Sequence, residues 1–304
     1  MEMMVYYISN VWKGACKKMI EIDAKRGLIL EGGAMRGMFT TGVLDVFMEN
    51  DIEFDGMAGI SAGATFGCNF KSKQPGRALR YNLKYSKDWR YCSFRSLIRT
   101  GDLYGAEFCY HEIPDKLDIF DRETFSSNPM EFYLAATDVE TGRPVYHKCT
   151  DGEELDLLWM RASASMPAVS HMVKIGDRMF LDGGITDAVP FKFMEYKGYN
   201  RNVIVLTQPD GYRKEKSKAT PVFDVMLRKY PNLCAAMRRR PKMYNRQMSD
   251  IKLREIAGTT FVIRPPESLG ISRTESDPGQ LQRVYDTGRS EAERRLDELR
   301  DFLK

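Results

Sequence analysis

Long apolar runs are scarce in this chain of 304 residues. The longest stretch without a charged residue, 56–70, is rich in Gly and Ala, and it is too short and too weakly apolar to span a bilayer. The N-terminal sequence MEMMVYYISNVWKGACKK has an acid at position 2 and too short an apolar run for a secretory signal. The sequence therefore predicts a soluble, cytoplasmic protein.

Paired cysteines and metal-binding spacings are also missing. The six cysteines are scattered, and none belongs to a C-x-x-C pair. A chain of this length can bury a sizeable core without disulfides, and no spacing typical of a metal site is present. These features predict free thiols in a reducing compartment and no bound metal.

A strong net charge is absent, because 46 basic residues face 42 acidic ones. This balance argues against a dedicated nucleic-acid binder. The charge is nevertheless uneven, since residues 213–246 contain eleven Lys or Arg and two acids. Such a segment is either a solvated basic face or a peripheral contact with anionic lipid headgroups.

A glycine-rich loop follows the first apolar strand. Residues 27–31 are predicted to form a buried strand, Gly32–Gly37 a loop, and 38–49 a helix. The dinucleotide fingerprint needs a second glycine where Ala34 stands, although Glu53 lies at the right distance for its acid. No Lys-Ser/Thr pair follows Gly37, as a P-loop requires. A nucleotide-binding protein that uses this loop remains an alternative.

A second strand–turn–helix unit, residues 54–70, carries the pattern Gly59-Ile60-Ser61-Ala62-Gly63. G-x-S-x-G is typical of a serine nucleophile on a sharp turn, where glycines leave room on either side. The alternative is that Ser61 only caps the following helix.

A nucleophilic serine needs a base, and the sequence offers two kinds. The chain has three histidines, of which His147 or His171 could act with Asp138. The other candidate is Asp182, which ends the apolar run FLDGG before two glycines. A carboxylate is a weak base for a hydroxyl and needs close contact and strong oxyanion stabilisation. The Asp-Gly pair is equally typical of a hairpin turn.

Taken together, these motifs resemble those of the patatin-like phospholipases. The family carries a D-G-G-G-x-R-G loop, a G-x-S-x-G serine and a D-G-G or D-G-A aspartate. The corresponding segments here are Glu31–Gly37, Gly59–Gly63 and Asp182–Gly184, in the same order. The A-S-x-A-x-P segment that precedes the aspartate matches as Ala162–Pro167.

The resemblance implies a serine hydrolase that cleaves acyl esters of lipids or phospholipids without a cofactor. Ser61 would be the nucleophile and Asp182 the base, with no histidine. The amides of Gly32, Gly33 and Ala34 would form the oxyanion hole. The supporting residues would be Arg36, Gly37, Gly59, Gly63, Gly183 and Gly184.

Two positions depart from the family pattern, and a third functional alternative remains. Ala34 replaces the third glycine and Glu31 the leading aspartate. If position 34 needs a positive φ, alanine costs about 1 kcal/mol there. The alternative is a non-catalytic regulatory protein with a vestigial dyad.

The expected fold is α/β, with a central, mostly parallel sheet flanked by helices, because apolar strands alternate with helices. The resemblance implies a single patatin-like three-layer domain over 1–304, with its motifs in 27–210 and the basic segment and last strand and helix in 211–304. Hairpins are predicted at 141–142 and 176–177. A capping box, Thr150 to Glu153, is predicted to open a helix with Leu155 inward, and 290–304 to form one amphipathic helix.

Overall fold

The computed structural model describes residues 24–217 and 219–304. The N-terminal segment for which no secretory signal was predicted lies outside these residues, and so does Cys16. The other five cysteines are free thiols. In this part of the chain no helix combines the length and apolar character needed to cross a bilayer.

An eight-stranded sheet forms the centre of the molecule. Its strands are β1 (Lys25–Leu30), β2 (Gly56–Gly59), β3 (Glu131–Asp138), β4 (Pro144–Cys149), β5 (Val173–Ile175), β6 (Arg178–Asp182), β7 (Tyr199–Val205) and β8 (Thr260–Ile263). Hydrogen bonds link them in the order β5-β6-β3-β2-β1-β7-β8, with β4 also paired to β3. The run from β3 to β8 is parallel, whereas β4, β5 and β6 pair antiparallel. Both predicted hairpins are confirmed.

Helices separate and follow these strands. In chain order the α-helices of the described residues are α1 (Gly37–Glu49), α2 (Ala62–Lys71), α3 (Arg77–Tyr85), α4 (Phe94–Thr100), α5 (Arg122–Ser127), α6 (Glu154–Ala164), α7 (Phe191–Tyr196), α8 (Thr220–Met226), α9 (Pro231–Ile256), α10 (Pro278–Arg294) and α11 (Leu296–Leu303). A π-helix spans Phe108–Leu117, and short 3-10 turns span Ala34–Arg36 and Gly183–Ile185.

Both faces of the sheet are covered, as the alternation along β1 demonstrates. Leu28 and Leu30 pack into a core with side chains of α1, α2 and α10. Ile29, between them, packs into a second core with side chains of α7 and α9. Successive side chains of a strand point to opposite faces, so helices lie on both sides. The predicted α/β class with a mostly parallel sheet is confirmed.

The predicted capping box at Thr150 is wrong. Helix α6 begins after Glu153, and no side chain caps it there. Instead the carboxylate of Asp156, inside the first turn, accepts the backbone amides of Thr150, Asp151 and Gly152. Leu155, predicted to point inward, is 54% exposed, whereas Leu157 is buried.

The predicted C-terminal helix over 290–304 is also different in the structure. Helix α10 already starts at Pro278, where Asp277 caps it, and the helical path breaks at Arg295 before α11. The inward face was predicted correctly, because Leu299 is fully buried and three neighbours pack against the core, Leu296, Phe302 and Leu303.

Candidate active site

Two strand ends approach each other along one edge of β3. Gly59, the last residue of β2, pairs with Leu134, and Asp182, the last residue of β6, pairs with Ala136. Strand β4 pairs with both Leu134 and Ala136 and so occupies the opposite edge. Because β2 is parallel and β6 antiparallel to β3, their carboxyl ends point at each other. This arrangement brings Asp182 to the turn that follows β2.

Ser61 occupies that turn in a strained backbone conformation, φ 54° and ψ −119°. Such a conformation is rare for a residue with a side chain and is found mainly at functional sites. The turn is tight, since a Cβ added to Gly59 would lie 2.4 Å from the carbonyl oxygen of Gly63. The Ser61 side chain makes no capping hydrogen bond with α2. Its hydroxyl is therefore not used as a helix cap.

The segment after α6 holds the serine and the aspartate in place together. The hydroxyl of Ser163 accepts the backbone amide of Ser61 at 3.0 Å. The carbonyl oxygen of Ser165 accepts the backbone amide of Asp182 at 2.7 Å. Two serines spaced two residues apart thus fix the two functional candidates relative to each other. The sequence identifies this segment only by its A-S-x-A-x-P pattern, which does not indicate these contacts.

The glycine-rich loop leaves its amides free. Among the described residues, no hydrogen bond is donated by the backbone N–H groups of Gly32, Gly33 or Ala34. Ala34 opens a short 3-10 turn with a φ of 48°, in the left-handed region that favours glycine. The position where the family carries its third glycine therefore does need a positive φ. Free amides near a helix start stabilise negative charge.

Glu31 anchors the start of this loop through hydrogen bonds to the C-terminal part of the chain. One carboxylate oxygen accepts the amide of Thr207 at 2.7 Å and its hydroxyl at 3.2 Å, and the other accepts the hydroxyl of Tyr244 at 2.8 Å. Glu31 is 3% exposed, and hydrogen bonds of this kind are what make a buried carboxylate tolerable. Thr207 and Tyr244 are functional contacts that the sequence pattern does not indicate.

Asp182 is a buried carboxylate, 5% exposed, that accepts the amide of Gly184 at 2.7 Å. Burial raises its pKa above the ordinary 3.8, while Arg240, the Ser61 hydroxyl and the Gly184 amide each lower it in part. A raised pKa makes the carboxylate a stronger base. The Ser61 hydroxyl thus lies close enough to the Asp182 carboxylate to lower its pKa by hydrogen bonding, although no hydrogen bond within 3.5 Å joins these two side chains among the described residues.

The remaining residues of the predicted supporting set surround these groups. A Cβ added to Gly37 would lie 2.7 Å from the ring of Phe66, and one on Gly183 would lie 2.1 Å from the carbonyl oxygen of Ala135. Both glycines therefore permit close packing under the site. Arg36 lies against Gly33, but its buried Nε has no hydrogen-bond partner among the described residues. The loop is held by Glu31, where the sequence led us to expect Arg36.

The histidine-based alternative is not supported. Asp138 accepts Arg178 at 2.6 Å, and His147 is bound to Asp156 at 2.6 Å. His171 contacts Asp102. None of the chain's three histidines lines a cavity that contains Ser61.

The nucleotide-binding alternative is not supported, because its candidate acid, Glu53, lies far from the glycine-rich loop. Glu53 precedes β2, at the edge of the sheet opposite the glycine-rich loop, and pairs with Lys73 on the surface. It lines a cavity that contains neither Ser61 nor the glycines of the loop.

One group of potential metal ligands lies elsewhere, on β4 and α6. The ligand atoms of His147, Cys149 and Asp156 are within 4.8 Å of one another. The Asp156 carboxylate is already occupied, because one oxygen accepts three backbone amides and the other contacts His147. The described contacts of this group therefore stabilise the start of α6.

Two cavities meet at Ser61. The first contains Gly32–Ala34, Ser61 and Asp182, so it unites all the residues predicted to react. The second is mainly apolar and is lined in part by the π-helix; its lining includes Met35, Phe66, Tyr81, Tyr91, Tyr104, Tyr110 and Ile113. A reacting ester at Ser61 would therefore contact polar groups on one side and an apolar pocket on the other.

This architecture places the chain among α/β proteins that carry a serine on a strand-to-helix elbow. A family model described as patatin-like phospholipase matches residues 28–194, more than half of the chain. The chain belongs to the patatin-like phospholipase family. A second model, described as a domain of unknown function (DUF6363), matches residues 230–304.

Individual proteins are similar to this chain over part of their length. The "Uncharacterized protein YjjU" of Escherichia coli (strain K12) is 32% identical over 188 residues, 60% of this chain and 52% of that protein. "Lysophospholipase nte1" of Aspergillus terreus is 28% identical over 190 residues, 59% of this chain and 11% of that protein. The chain thus spans about half of one curated relative and about a tenth of the other. In structure, VipD from Legionella pneumophila matches with a TM-score of 0.48 and 12% identity, covering 91% of this chain and 67% of that one.

Proposed function

We propose that the protein hydrolyses acyl esters of lipids, with Ser61 as nucleophile and Asp182 as base. The observation that carries this proposal is the shared cavity of Ser61, Asp182 and the glycine-rich loop. Family membership supports lipid acyl hydrolysis at the level of reaction class. The name of the fungal relative suggests a lysophospholipid as one candidate substrate.

In the proposed reaction Asp182 accepts the hydroxyl proton while the oxygen of Ser61 bonds to the ester carbonyl carbon. The carbonyl electron pair moves onto oxygen, and the amides of Gly32, Gly33 and Ala34 donate to this oxyanion. Collapse breaks the bond to the alcohol, which takes the proton from Asp182. Water then adds to the acyl-enzyme by the same route and releases the fatty acid and Ser61.

The apolar cavity supplies the second half of the proposal, a place for the acyl chain. Its tyrosine rings and Met35 surround the path from Ser61 toward Ile113. Burying each methylene of the acyl chain there contributes about 0.8 kcal/mol. Binding energy from the chain would hold the carbonyl carbon close to the serine oxygen.

The decisive experiment compares Ser61→Ala and Asp182→Asn with Ser126→Ala, an exposed serine on α5. With a chromogenic short-chain ester, we expect the first two to lose at least a hundredfold in kcat/KM and the control to lose nothing. A fluorophosphonate probe read by mass spectrometry should label Ser61. Full activity in a folded Ser61→Ala variant would refute the dyad. Failure of the probe to label Ser61 in the folded protein, together with no turnover of the ester, would favour the vestigial alternative.

We also propose that the exposed part of 213–246 contacts an anionic membrane. The structure turns Lys214 and Arg240 toward the cavity, but α8 exposes Val222, Val225 and Met226 beside two cations, Arg228 and Lys229. Apolar residues flanked by cations suit an anionic lipid surface.

Sedimentation with phosphatidylglycerol-containing vesicles tests this contact. Val225→Asp should reduce binding, whereas Leu253→Asp, at an exposed position outside the segment, should not. Equal binding of Val225→Asp and the unmodified protein would contradict the contact.

A further inference from the structure

Three cations reach the reactive cavity from outside the segment that matches the patatin-like family. Lys214 belongs to the loop after β7, Arg240 to α9 and Arg273 to the loop between β8 and α10. All three line the cavity that contains Ser61 and Asp182. Residues 28–194 carry the motifs, so the C-terminal part of the chain completes this wall of the site.

None of these cations forms an ion pair with a carboxylate of the described residues. In residues 24–217 and 219–304, no carboxylate oxygen lies within 4.0 Å of the charged nitrogens of Lys214, Arg240 or Arg273. Other arginines of the same helix do have such partners; Arg238 contacts Asp224 at 2.9 Å, and Arg254 contacts Glu195. The three cations of the cavity therefore remain available to a bound anion.

The two carboxylates of the cavity do not balance this charge. Both oxygens of Glu31 are occupied by Thr207 and Tyr244, and Asp182 accepts the amide of Gly184. With Arg36 included, four cations line a cavity that holds two carboxylates. An anion entering this cavity meets a net positive field.

Two of the cations, Arg240 and Lys214, are also held in place, whereas Arg273 is exposed at the mouth of the cavity. The Nε of Arg240 donates to the carbonyl oxygen of Gly184 at 2.7 Å. The Nζ of Lys214 lies 4.6 Å from the ring centre of Tyr244. Burial, followed by the charge of Arg240, lowers the pKa of Lys214 from 10.5 to about 8. Their mutual repulsion is a cost that a bound anion would remove.

The separation of the three cations from the apolar cavity points to the ligand. None of the three lines the apolar cavity that contains Ser61. They line instead the cavity that Ser61 shares with Asp182 and, with Asp182, an adjoining groove of about 1110 Å³. An ester spanning both regions would have an acyl chain at one end and an anion at the other. Arginine and lysine together are well suited to phosphate oxygens.

We propose that Lys214, Arg240 and Arg273 form a phosphate-binding subsite that selects acyl esters carrying a phosphate headgroup beside the scissile bond. This proposal rests on the proposed function, because it places the headgroup relative to an ester attacked by Ser61. The C-terminal part of the chain thereby contributes substrate specificity to the site.

The test uses two esters with the same acyl chain, palmitoyl lysophosphatidate and palmitoyl monoglyceride, in the same detergent micelles. We expect Lys214→Gln and Arg273→Gln to lower kcat/KM for the phosphate ester by about tenfold to a hundredfold. Activity on the uncharged ester should stay within about threefold. Arg239→Gln, an exposed neighbour that lines neither cavity, is the matched control. Arg273→Lys should recover part of the loss.

Several outcomes would overturn the subsite. Equal losses on both esters would mean that the cations act structurally, and no loss on either would remove them from recognition. If inorganic phosphate inhibits both esters while the unmodified protein shows no preference for the phosphate ester, the cavity binds free anions and the headgroup assignment is wrong.

A binding measurement separates this proposal from the proposed function. Calorimetry with Ser61→Ala follows binding of the same lysophosphatidate micelles without turnover. Arg273→Gln in that background should weaken binding at least tenfold, even if the protein proves not to be a hydrolase. Unchanged binding would refute the subsite.

Discussion

The hydroxyl of Tyr244 donates to the buried carboxylate of Glu31 at 2.8 Å, across 213 residues of sequence. Glu31 opens the glycine-rich loop, and Tyr244 lies on α9. This hydrogen bond is a direct link between the motif-bearing part of the chain and the C-terminal part that matches the second family model. The longer side chain of glutamate, where the family has aspartate, is the one that makes this contact here.

Removing this link should loosen the loop. Tyr244→Phe keeps the ring but leaves one oxygen of Glu31 without its donor, so we expect a loss of about 1–3 kcal/mol in the free energy of unfolding. We also expect kcat to fall about tenfold, because the amides of Gly32–Ala34 would be less well positioned. Urea unfolding and ester hydrolysis measure the two effects.

The control for this prediction is Tyr230→Phe, at the start of the same helix, since no hydrogen bond of the Tyr230 hydroxyl is found among the described residues. An unchanged kcat in Tyr244→Phe would show that Glu31 does not position the loop.

Ala34→Gly should have little net effect on stability. The φ of 48° costs an alanine about 1–2 kcal/mol relative to an ordinary helical conformation, and glycine would relieve this strain. Glycine also raises the entropy of the unfolded chain, however, which cancels about 0.4–1 kcal/mol of the gain in stability. We expect a change within about 1 kcal/mol and nearly unchanged activity. Ala235→Gly, within α9, should instead destabilise the protein by about 1 kcal/mol. A large loss of activity in Ala34→Gly would mean that the alanine methyl group shapes the oxyanion hole.

Local signals made much of the fold predictable. The two strand–turn–helix units and both hairpins lie within short stretches whose periodicity and turn residues agree with each other. The strands bearing Ser61 and Asp182 could be recognised individually. Their meeting along one edge of β3 depends on the reversed direction of β6, which periodicity alone does not specify.

The rest of the site depends on distant packing. Helix α9 contains Pro241 and many charges, and an internal proline argues against a helix, so its 26 residues were not predicted as one element. The contacts of Tyr244 and Arg240 follow from the placement of that helix. The failed capping box at Thr150 has a local cause, because Asp156 accepts the amide of Thr150 and Asp151 accepts that of Glu153.

Asp182→Asn should stabilise the folded protein near neutral pH. Burial raises the pKa of Asp182 in the folded state, so the folded protein favours the protonated carboxyl and loses stability as pH rises through that raised pKa. A neutral amide avoids this loss, and we expect a gain of about 0.5–2 kcal/mol at pH 7. The gain should shrink as pH falls below the raised pKa toward the ordinary 3.8.

Urea unfolding at several pH values measures this effect, with Asp177→Asn in an exposed turn as control. A variant that is less stable than the unmodified protein at pH 7 would show that hydrogen bonding outweighs the burial of charge.

Arg240 should set the acidic limit of activity. Its charge is the largest of the influences that lower the pKa of Asp182 against the effect of burial. Arg240→Gln removes that charge, so the pKa of Asp182 should rise further. Because the proposed base must be ionised, the acid limb of kcat/KM should move to higher pH. At pH values below the pKa of Asp182, activity would fall about tenfold for each unit by which that pKa rises.

An uncharged ester is the right substrate for this profile, since it keeps headgroup binding out of the measurement. Arg239→Gln carries the same change of charge on the exposed side of α9, so its acid limb should stay in place. If the acid limb of Arg240→Gln lies at the same pH as that of Arg239→Gln while overall activity falls, Arg240 acts only through its hydrogen bond to Gly184. A limb that moves while the alkaline side of the profile is unchanged ties the acid limit to the ionisation of Asp182, because Asp182 is the carboxylate whose pKa that guanidinium lowers.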